Sequence, residues 1–184
     1  LVAELAPLTP LLTAFGDRFS AAGHEVALVG GSVRDAFLGR LSSQPEADLD
    51  LTTDARPEQV LAVLEGWAET TWEVGIAFGT IGARVAGRVV EITTYRSEAY
   101  ERDSRKPAVA YGTSLADDLV RRDFTINAMA IRLPGLALVD LFGGQEDLDR
   151  RLIRTPGRPE DSFGDDPLRM LRAARFSAQL GFDV

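Results

Sequence analysis

The sequence predicts a mixed α/β head followed by a region of helices alone. Three observations lead to this fold class. Short β-rich segments alternate with helical ones as far as residue 141, Ala86-Gly87 separates two β-rich segments as a hairpin turn does, and the pattern is helical only from about Glu146 onward. We therefore expect a mixed sheet flanked by helices over residues 1–145, and the start of a helical neck over residues 146–184.

Local signals place the elements along the chain. The segment 25–29 ends at Gly30-Gly31, Ser32 is a candidate N-cap for the next helix, and Gly39 ends that helix. The expected helices cover residues 8–22, 33–38, 57–65, 114–121 and 166–180, with residues 157–164 separating the last ones. The expected strands cover residues 25–29, 48–52, 71–74, 79–85, 88–95 and 136–141; residues 124–131 are expected to be helical or mixed and residues 97–114 a mobile loop.

The composition excludes several kinds of site. Of the 184 residues, 45% are hydrophobic and 26% are charged, as in an ordinary globular protein. The chain has no cysteine and only one histidine, His24, so disulfides and thiolate centres are excluded and a zinc site has almost no ligands. Any metal must therefore be bound by oxygen atoms.

The net charge of −8 argues against a surface that attracts nucleic acid in general. Residues 151–184 carry 6 basic and 5 acidic side chains, so an RNA contact would depend on a local group of arginines. Lys106 is the only lysine. Nearly all of the basic side chains are therefore arginines. Two explanations account for this preference over lysine: bidentate contacts of arginine with phosphate, or a GC-rich genome.

The N-terminal stretch is apolar but does not read as a membrane helix or a leader. Glu4, Pro7 and Pro10 interrupt it, and no apolar run in the chain approaches the roughly 18–20 residues that span a bilayer. We therefore expect a cytoplasmic protein without a membrane partner. The absence of an initiator methionine and the abrupt end favour a fragment of a longer protein.

A double-glycine turn is the first candidate site. A predicted strand runs through Gly30 and Gly31 into a helix start that carries Arg34. Without Cβ atoms the glycines let the backbone approach a ligand, free amides at the helix start attract an anion, and Arg34 adds a charged donor. This pattern favours a triphosphate cradle; the alternative is an ordinary turn with a surface arginine.

Two neighbouring carboxylates form the second candidate site. Asp48 and Asp50 alternate with leucines, so a strand places both on one face with Cα atoms roughly 6–7 Å apart. That spacing allows them to share a pair of Mg²⁺ ions. Glu91, an acid within an apolar strand, is a candidate third carboxylate. The alternatives are an exposed strand face for the aspartates and an outward-facing acid for Glu91.

The stretch 117–128 is the third candidate. Arg122 and Asn127 are suited to contact phosphate or sugar, and Asp123 is suited to fix Arg122 in place. On periodicity alone the same stretch is a charged helix end.

A stripe along the last predicted helix is the fourth candidate. Asp166, Arg169, Arg172 and Arg175 recur every three residues. A carboxylate accepts from an exocyclic amino group and a guanidinium donates to ring nitrogen or carbonyl oxygen, so Asp166 and Arg169 match the Watson–Crick edge of cytosine or adenine. The other arginines would stack on the base or bind phosphate. The alternative is a solvated, salt-bridged helix face.

Taken in order, these segments resemble the class II tRNA nucleotidyltransferase and bacterial poly(A) polymerase family. The match runs from about Val26 to Gly181. Its marks are GGSVRD at 30–35, DLD at 48–50, RRDFTINAMA at 121–130, DLFGG at 140–144 and DDPLRMLRAARF at 165–176. The resemblance implies a nucleotidyltransferase-fold head with a mixed, mostly antiparallel sheet and an all-helical neck; the C-terminal body and tail of the family are expected to be absent.

The resemblance also implies a reaction. The 3′-hydroxyl of a tRNA attacks the α-phosphate of CTP, then of ATP, and releases pyrophosphate, so CCA is added without a nucleic-acid template. Asp48 and Asp50 would bind the catalytic magnesium, with two Mg²⁺ ions expected, and Glu91 is the third candidate catalytic residue. The expected nucleotide-binding residues are Gly30, Gly31, Arg34, Arg122, Asp123, Asn127, Asp166, Arg169, Arg172 and Arg175, the last four selecting CTP and ATP.

One stretch bears on the branch of the family. Members that make poly(A) carry two basic residues between a glycine and a phenylalanine in the first hairpin, whereas residues 74–78 read Val-Gly-Ile-Ala-Phe. This favours CCA addition. Poly(A) synthesis and addition of only CC or only A are the alternatives within the family. An inactive nucleotide- or RNA-binding module is the alternative from another class, and the intact pair Asp48 and Asp50 argues against it.

Overall fold

The computed structural model of the protein describes residues 1–41, 43, 47–73, 79–97, 110–112 and 114–184. Most of the predicted loop at 97–114 lies outside the described residues. The same holds for residues 74–78, on which the choice between CCA and poly(A) addition was based.

The described residues form the following helices and strands. The helices are α1 (Val2–Leu5), α2 (Thr9–Ala21), α3 (Gly31–Phe37), α4 (Pro57–Leu64), α5 (Leu115–Val120), α6 (Gly144–Arg150), α7 (Pro159–Asp165) and α8 (Leu168–Leu180), with short 3-10 helices at Ala6–Leu8 and Thr125–Asn127. The strands are β1 (Val26–Val29), β2 (Leu49–Thr53), β3 (Thr70–Trp72), β4 (Thr80–Val85), β5 (Arg88–Thr94), β6 (Arg96–Ser97), β7 (Ala110–Tyr111), β8 (Met129–Arg132) and β9 (Ala137–Asp140). Among these described helices, none is long and apolar enough to cross a membrane.

One seven-stranded sheet runs through the described residues in the order β3-β4-β5-β2-β1-β8-β9, and β6 pairs separately with β7. Strands β2 and β5 run parallel, and the other pairs of the described sheet are antiparallel. The predicted α/β fold with a mixed, mostly antiparallel sheet and flanking helices is confirmed.

The alternation of side chains gives the sheet one apolar and one polar face. Leu49 and Leu51 of β2 lie in the main core together with apolar side chains of α2 and α4. Asp50 lies between these leucines and pairs in register with Glu91 of β5, so both acids face the other side. A smaller cluster around Tyr95 and α5 covers part of that side. The acids therefore lie beside α5 on a partly open face.

The start of α3 differs from the prediction. Its N-cap is Gly30 rather than Ser32, and no side chain caps the helix. Gly30 has a φ of 70°, which glycine adopts without strain, so the chain turns sharply and enters the helix at Gly31. Ser32 lies inside the helix, where its hydroxyl donates to the Asp48 carbonyl at 3.4 Å.

Two later segments contain more structure than the sequence predicts. The stretch 124–131, expected to be helical or mixed, is mixed and divides into a 3-10 turn and β8, with its apolar side chains buried. Residues 157–164, expected to separate helices, contain α7, which begins at Pro159, a residue suited to the first helical position.

The C-terminal helices share the main core. Leu148, Ile153, Ala173 and Phe176 are buried in the same cluster as the central strands. The predicted boundary at 145/146 falls inside α6. The division into a head at 1–145 and a neck at 146–184 stays a prediction.

Gly16 marks a close contact between α2 and the segment before β9. An ideal Cβ on Gly16 would lie 2.4 Å from the backbone nitrogen of Pro134. We expect Gly16→Ala to lower the free energy of unfolding by about 1–3 kcal/mol because the backbone must shift. Alanine otherwise favours a helix over glycine by roughly 0.5–1 kcal/mol. Urea unfolding measures the change.

Gly164→Ala on α7 is the matched control for this substitution. Nothing lies within 4 Å of an ideal Cβ at Gly164, so stability is expected to stay the same or rise. Equal losses in the two variants would contradict the contact at Gly16.

Candidate functional site

The turn between β1 and α3 brings three predicted site residues together. An ideal Cβ on Gly30 would lie 3.2 Å from Arg122 Nη1 and 3.4 Å from Asp50 Oδ2. These residues come from separate segments of the chain, and the missing side chain at position 30 leaves the space between them open. An ideal Cβ on Gly31 would lie 3.5 Å from Arg34 Nη2.

The carboxylates influence one another electrostatically. Burial raises the pKa of the Asp50 carboxyl above its usual range. The Arg122 charge lowers this pKa, while the charges of Glu91 and Asp48 raise it. Asp48 and Glu91 are exposed, and Asp50 is half-buried. Burial is therefore the largest influence on the Asp50 carboxyl, and the Arg122 charge partly offsets it.

The donor set fits a hard divalent cation. Repulsion among carboxylates is relieved by a cation, and oxygen ligands are those that Mg²⁺ prefers. Asp48, Asp50 and Glu91 are not gathered into a complete metal cage, and no other group of three or more His, Asp or Glu side chains is so gathered within the described ranges. Mg²⁺ usually binds through one or two carboxylates and completes its shell with water and substrate phosphates, so the arrangement suits it.

Asp118 holds Arg122, and the sequence prediction of an Asp123–Arg122 pair is wrong. Arg122 Nη2 donates to Asp118 Oδ2 at 3.0 Å, and the Asp118 side chain is 8% exposed. The two residues lie four positions apart, which brings their side chains together at the end of α5. The Arg96 backbone N–H donates to the other Asp118 oxygen at 3.4 Å.

Arg122 retains donor capacity at the site. Its Nε is buried and has no hydrogen-bond partner within the part of the chain that the structure describes. This nitrogen is closed to a ligand, but Arg122 Nη1 borders the space left open at Gly30, 3.2 Å from an ideal Cβ there. Arg122 is thus suited to bind an anion beside Asp50.

Asp123 connects to α8 instead. Its Oδ1 accepts from the Phe124 backbone N–H at 2.8 Å and from Asn127 Nδ2 at 3.0 Å. Its Oδ2 accepts from Arg172 Nε at 2.8 Å and from Arg172 Nη2 at 2.5 Å. A carboxylate offers roughly four acceptor positions, so those of Asp123 are filled from within the chain.

Arg34 is held by a neighbour and by a distant residue. Its Nε and Nη2 donate to the two Asp35 oxygens at 2.9 and 3.0 Å. Its Nη1 donates to Asn127 Oδ1 at 2.8 Å. The guanidinium carbon also lies 5.2 Å from the centroid of the Phe176 ring. Both Arg34 and Asn127 therefore lie in one network with Asp123.

The four residues of the stripe lie at the start of α8 and along it, but their side chains differ in the contacts that they make within the chain. Asp166 Oδ1 accepts from the Leu168 N–H at 3.0 Å. Arg169 donates to the Ser162 hydroxyl and to the Arg121 carbonyl, both at 2.7 Å. Arg172 is engaged by Asp123, whereas the exposed guanidinium of Arg175 lies 5.1 Å from the Phe176 ring centroid.

Several side chains that shape this site had no role in the sequence prediction. The sequence did hold a signal for two of them. Asp118 lies four residues before Arg122, and Asp35 directly follows Arg34, so each acid is placed beside its arginine. Ser162 and Phe176 carried no local signal, since their contacts join segments that only the fold brings together.

A family model described as the poly A polymerase head domain matches residues 26–154 of the chain. The chain belongs to the poly A polymerase head domain family. The resemblance seen in the sequence motifs is thereby confirmed, and the matched region extends past the predicted boundary at 145/146. Divalent metal use is general in this family.

Curated relatives of this chain include CCA-adding enzymes. That of Bacillus subtilis (strain 168) is 47% identical over 164 residues, which is 89% of this chain and 39% of the relative. That of Limosilactobacillus fermentum is 42% identical and covers 100% of this chain and 43% of the relative. The chain thus spans about two fifths of the relatives that it matches.

Solved structures similar to this head domain include the Bacillus stearothermophilus CCA-adding enzyme in complex with CTP. Its TM-score is 0.80 at 36% identity, covering 98% of this chain and 40% of that one. A tRNA nucleotidyltransferase complexed with a primer tRNA and an incoming ATP analog has a TM-score of 0.70 at 35% identity, covering 91% of this chain and 45% of that one.

Removing the charge of Asp50 is expected to stabilise the metal-free protein. Burial raises the Asp50 pKa above the ordinary 3.8, so the stability contributed by the protonated form is lost as pH rises through the folded-state pKa. Asp50→Asn should therefore raise the thermal unfolding midpoint at neutral pH, and the gain should shrink as pH falls towards 3.8. Calorimetry in chelator measures this. A lower midpoint at neutral pH would contradict it.

Asp118→Asn is expected to lower the free energy of unfolding by about 1–3 kcal/mol, because Arg122 loses a charged partner in a partly buried position. Asp117→Asn on the same helix is the control. The Asp117 carboxylate is exposed in the first turn of α5 and accepts from the Ser114 hydroxyl, so the loss of its charge costs about 0.3–1 kcal/mol. Denaturant unfolding distinguishes the two, and equal losses would count against the Asp118–Arg122 pair.

Proposed function

We propose that the chain is the catalytic part of a template-independent nucleotidyltransferase that adds CCA to the 3′ end of tRNA, using CTP and ATP and releasing pyrophosphate. The observation that carries this proposal is the meeting of Arg122 and Asp50 at the side-chain-free position of Gly30. This arrangement pairs an anion-binding group with a metal-binding group at one open point. Transfer of a nucleotide from a triphosphate needs both.

The residues take the following roles in this proposal. Asp48 and Asp50 hold Mg²⁺, with two ions expected, and Glu91 is the candidate third carboxylate. When bound, the metal lowers the pKa of the attacking tRNA hydroxyl and neutralises charge on the transferred phosphoryl group. The backbone at Gly30 admits the triphosphate, and Arg122 donates to its oxygens.

The named relatives support the choice of nucleotides and acceptor. They are CCA-adding enzymes, and similar solved structures contain CTP or a primer tRNA with an ATP analog. Asp166 and Arg169 at the start of α8 carry an acceptor and donors that match the edges of cytosine and adenine, and in this role Arg169 exchanges its hydrogen bonds to Ser162 and Arg121 for those to a base. Residues 1–145 then form the catalytic head, and residues 146–184 contribute the nucleotide-selecting helix.

The electrostatics argue against an inactive binding module. Burial and the neighbouring acids disfavour ionised Asp50 in the metal-free protein. A module that only binds RNA or nucleotide gains nothing from such a cluster of acids. A nucleotidyltransferase uses it to bind metal.

Single-turnover incorporation tests the proposal directly. Labelled CTP, ATP, UTP and GTP are offered with Mg²⁺ to tRNAs that end at the discriminator base, at C or at CC, using the protein at its full natural length. We expect addition of two C residues and then one A. Asp50→Ala should reduce the rate by at least about a hundredfold, since even loss of a residue behind a metal ligand costs up to that much.

Asp149→Ala, which removes an exposed carboxylate of α6, is the control and should leave the rate unchanged. Tracts of A alone would assign the protein to poly(A) synthesis. Addition of only CC or only A would assign it to a partial activity. An absence of any incorporation would favour the binding module.

A further inference from the structure

A row of four paired residues crosses the sheet and ends at the proposed metal site. Trp72 of β3 pairs with Gly82 of β4, Gly82 pairs with Glu91 of β5, and Glu91 pairs with Asp50 of β2. Directly paired residues direct their side chains to the same face of a sheet. The Trp72 indole therefore lies on the face that carries the carboxylates of Glu91 and Asp50.

The absence of a side chain at Gly82 lets the Trp72 indole lie over the neighbouring strand. An ideal Cβ on Gly82 would overlap Nε1 and Cε2 of the indole and would lie 2.7 Å from its Cδ1. These three are consecutive atoms of the five-membered ring, so the ring covers the glycine and leans towards Glu91. Neighbouring strands are roughly 4.8 Å apart, which places the ring within roughly 10 Å of the Asp50 backbone. One nucleotide bridges such a distance.

The Trp72 ring keeps aromatic surface for a ligand. The residue is partly exposed, and Glu91 beside it is exposed. Among the described residues the ring has no contact with another aromatic ring or with a guanidinium. The second tryptophan differs, because Trp67 packs against the Phe15 ring and lies under the Arg18 guanidinium.

The order of the strands places this ring across Asp50 from the proposed phosphate site. Gly30 and Arg122 border Asp50 on the side of β1, whereas β5, β4 and β3 lie on the other side of β2. In phosphoryl transfer the attacking and leaving oxygens lie roughly in line. With pyrophosphate leaving on the side of Gly30, the attacking hydroxyl comes from the side of Glu91 and Trp72.

We propose that Trp72 is a stacking platform for a base of the unpaired 3′ end of the acceptor RNA. This inference rests on the proposed function, in which that acceptor is tRNA. An aromatic ring stacks on every base, because every base has a π-face. Such tolerance suits three successive additions that meet three different 3′ ends, whereas hydrogen bonds to base edges would favour one of them.

Cover of Gly82 is the competing explanation. An aromatic side chain that packs on a glycine at a sheet edge stabilises the sheet by itself. In that case the effect of removing the ring would not depend on the bases of the RNA. If the ring stacks on a base, removing the ring and removing the base abolish the same interaction, so their effects on affinity are not additive.

The test measures binding of labelled tRNA to the protein at its full natural length. The tRNAs end in CC, and the last or the next-to-last nucleotide either carries its base or is abasic. Loss of the stacked base should weaken binding to the wild type by about tenfold, as expected for one base–aromatic stack. Trp72→Leu, which keeps an apolar cover on Gly82, should bind intact tRNA about tenfold more weakly and should not distinguish it from abasic tRNA.

Two further variants and one ligand complete the experiment. Trp72→Phe keeps a smaller aromatic face, so its loss on removal of the base should lie between those of the wild type and Trp72→Leu. Thr71→Ala changes an exposed side chain at the neighbouring position of β3, which points to the other face, and it should bind every tRNA as the wild type does. Affinity for CTP with Mg²⁺ should be equal in all of these proteins, because the ring lies away from Gly30. Unfolding midpoints show which variants fold, and Trp72→Phe still decides the question if Trp72→Leu does not fold.

Other outcomes overturn the inference. Equal losses on removal of the base in the wild type and in folded variants at position 72 would reject stacking and leave Trp72 as a cover for Gly82. A wild type that does not respond to an abasic nucleotide at either position would reject it too. Incorporation of CCA without this dependence on a base rejects stacking alone, whereas dependence on a base without any incorporation rejects the proposed function alone.

Discussion

The missing side chain at Gly30 lets three parts of the chain meet. The positive φ of Gly30 turns the backbone from β1 into α3, and the space where a Cβ would lie is bordered by Arg122 and Asp50. A larger residue would be strained in this conformation and would crowd the arginine and the carboxylate. The carboxylates of the sheet, the arginine after α5 and the start of α3 depend on this one position for their arrangement.

Opposite charges alternate through the site. Asp50 is partly buried beside Arg122, and Arg122 donates to the buried Asp118. Paired in this way, ionised groups can lie in a region from which water is partly excluded. The balance is incomplete, because burial and the neighbouring acids still disfavour the Asp50 charge and Arg122 Nη1 borders the space left open at Gly30. A divalent cation and an anionic ligand would complete it, which is the pairing that a nucleotide with Mg²⁺ supplies.

Helix α8 belongs physically to the same unit as the sheet. Ala173 and Phe176 fill the main core, while Arg169 and Arg172 are tied to Arg121 and Asp123. The helix therefore presents its stripe in a fixed relation to the turn at Gly30. This anchoring holds the residues proposed to read the base of a nucleotide at a fixed position relative to those proposed to bind the phosphates of the same nucleotide.

The sequence by itself determined the fold class and the family, and it predicted the separate segments of the proposed site, since the alternation of acids and leucines at Asp48–Leu51, the double glycine and the three-residue arginine period are local patterns. It also determined the hairpin at Ala86-Gly87, whose two positive φ angles suit such a turn. Only the tertiary structure decided which acid pairs with which arginine. Asp123 and Asp118 are both close to Arg122 in sequence, but Asp118 lies one helical turn away and Asp123 faces α8. Sequence spacing constrains neighbours within one element, whereas contacts between elements depend on how the whole chain packs.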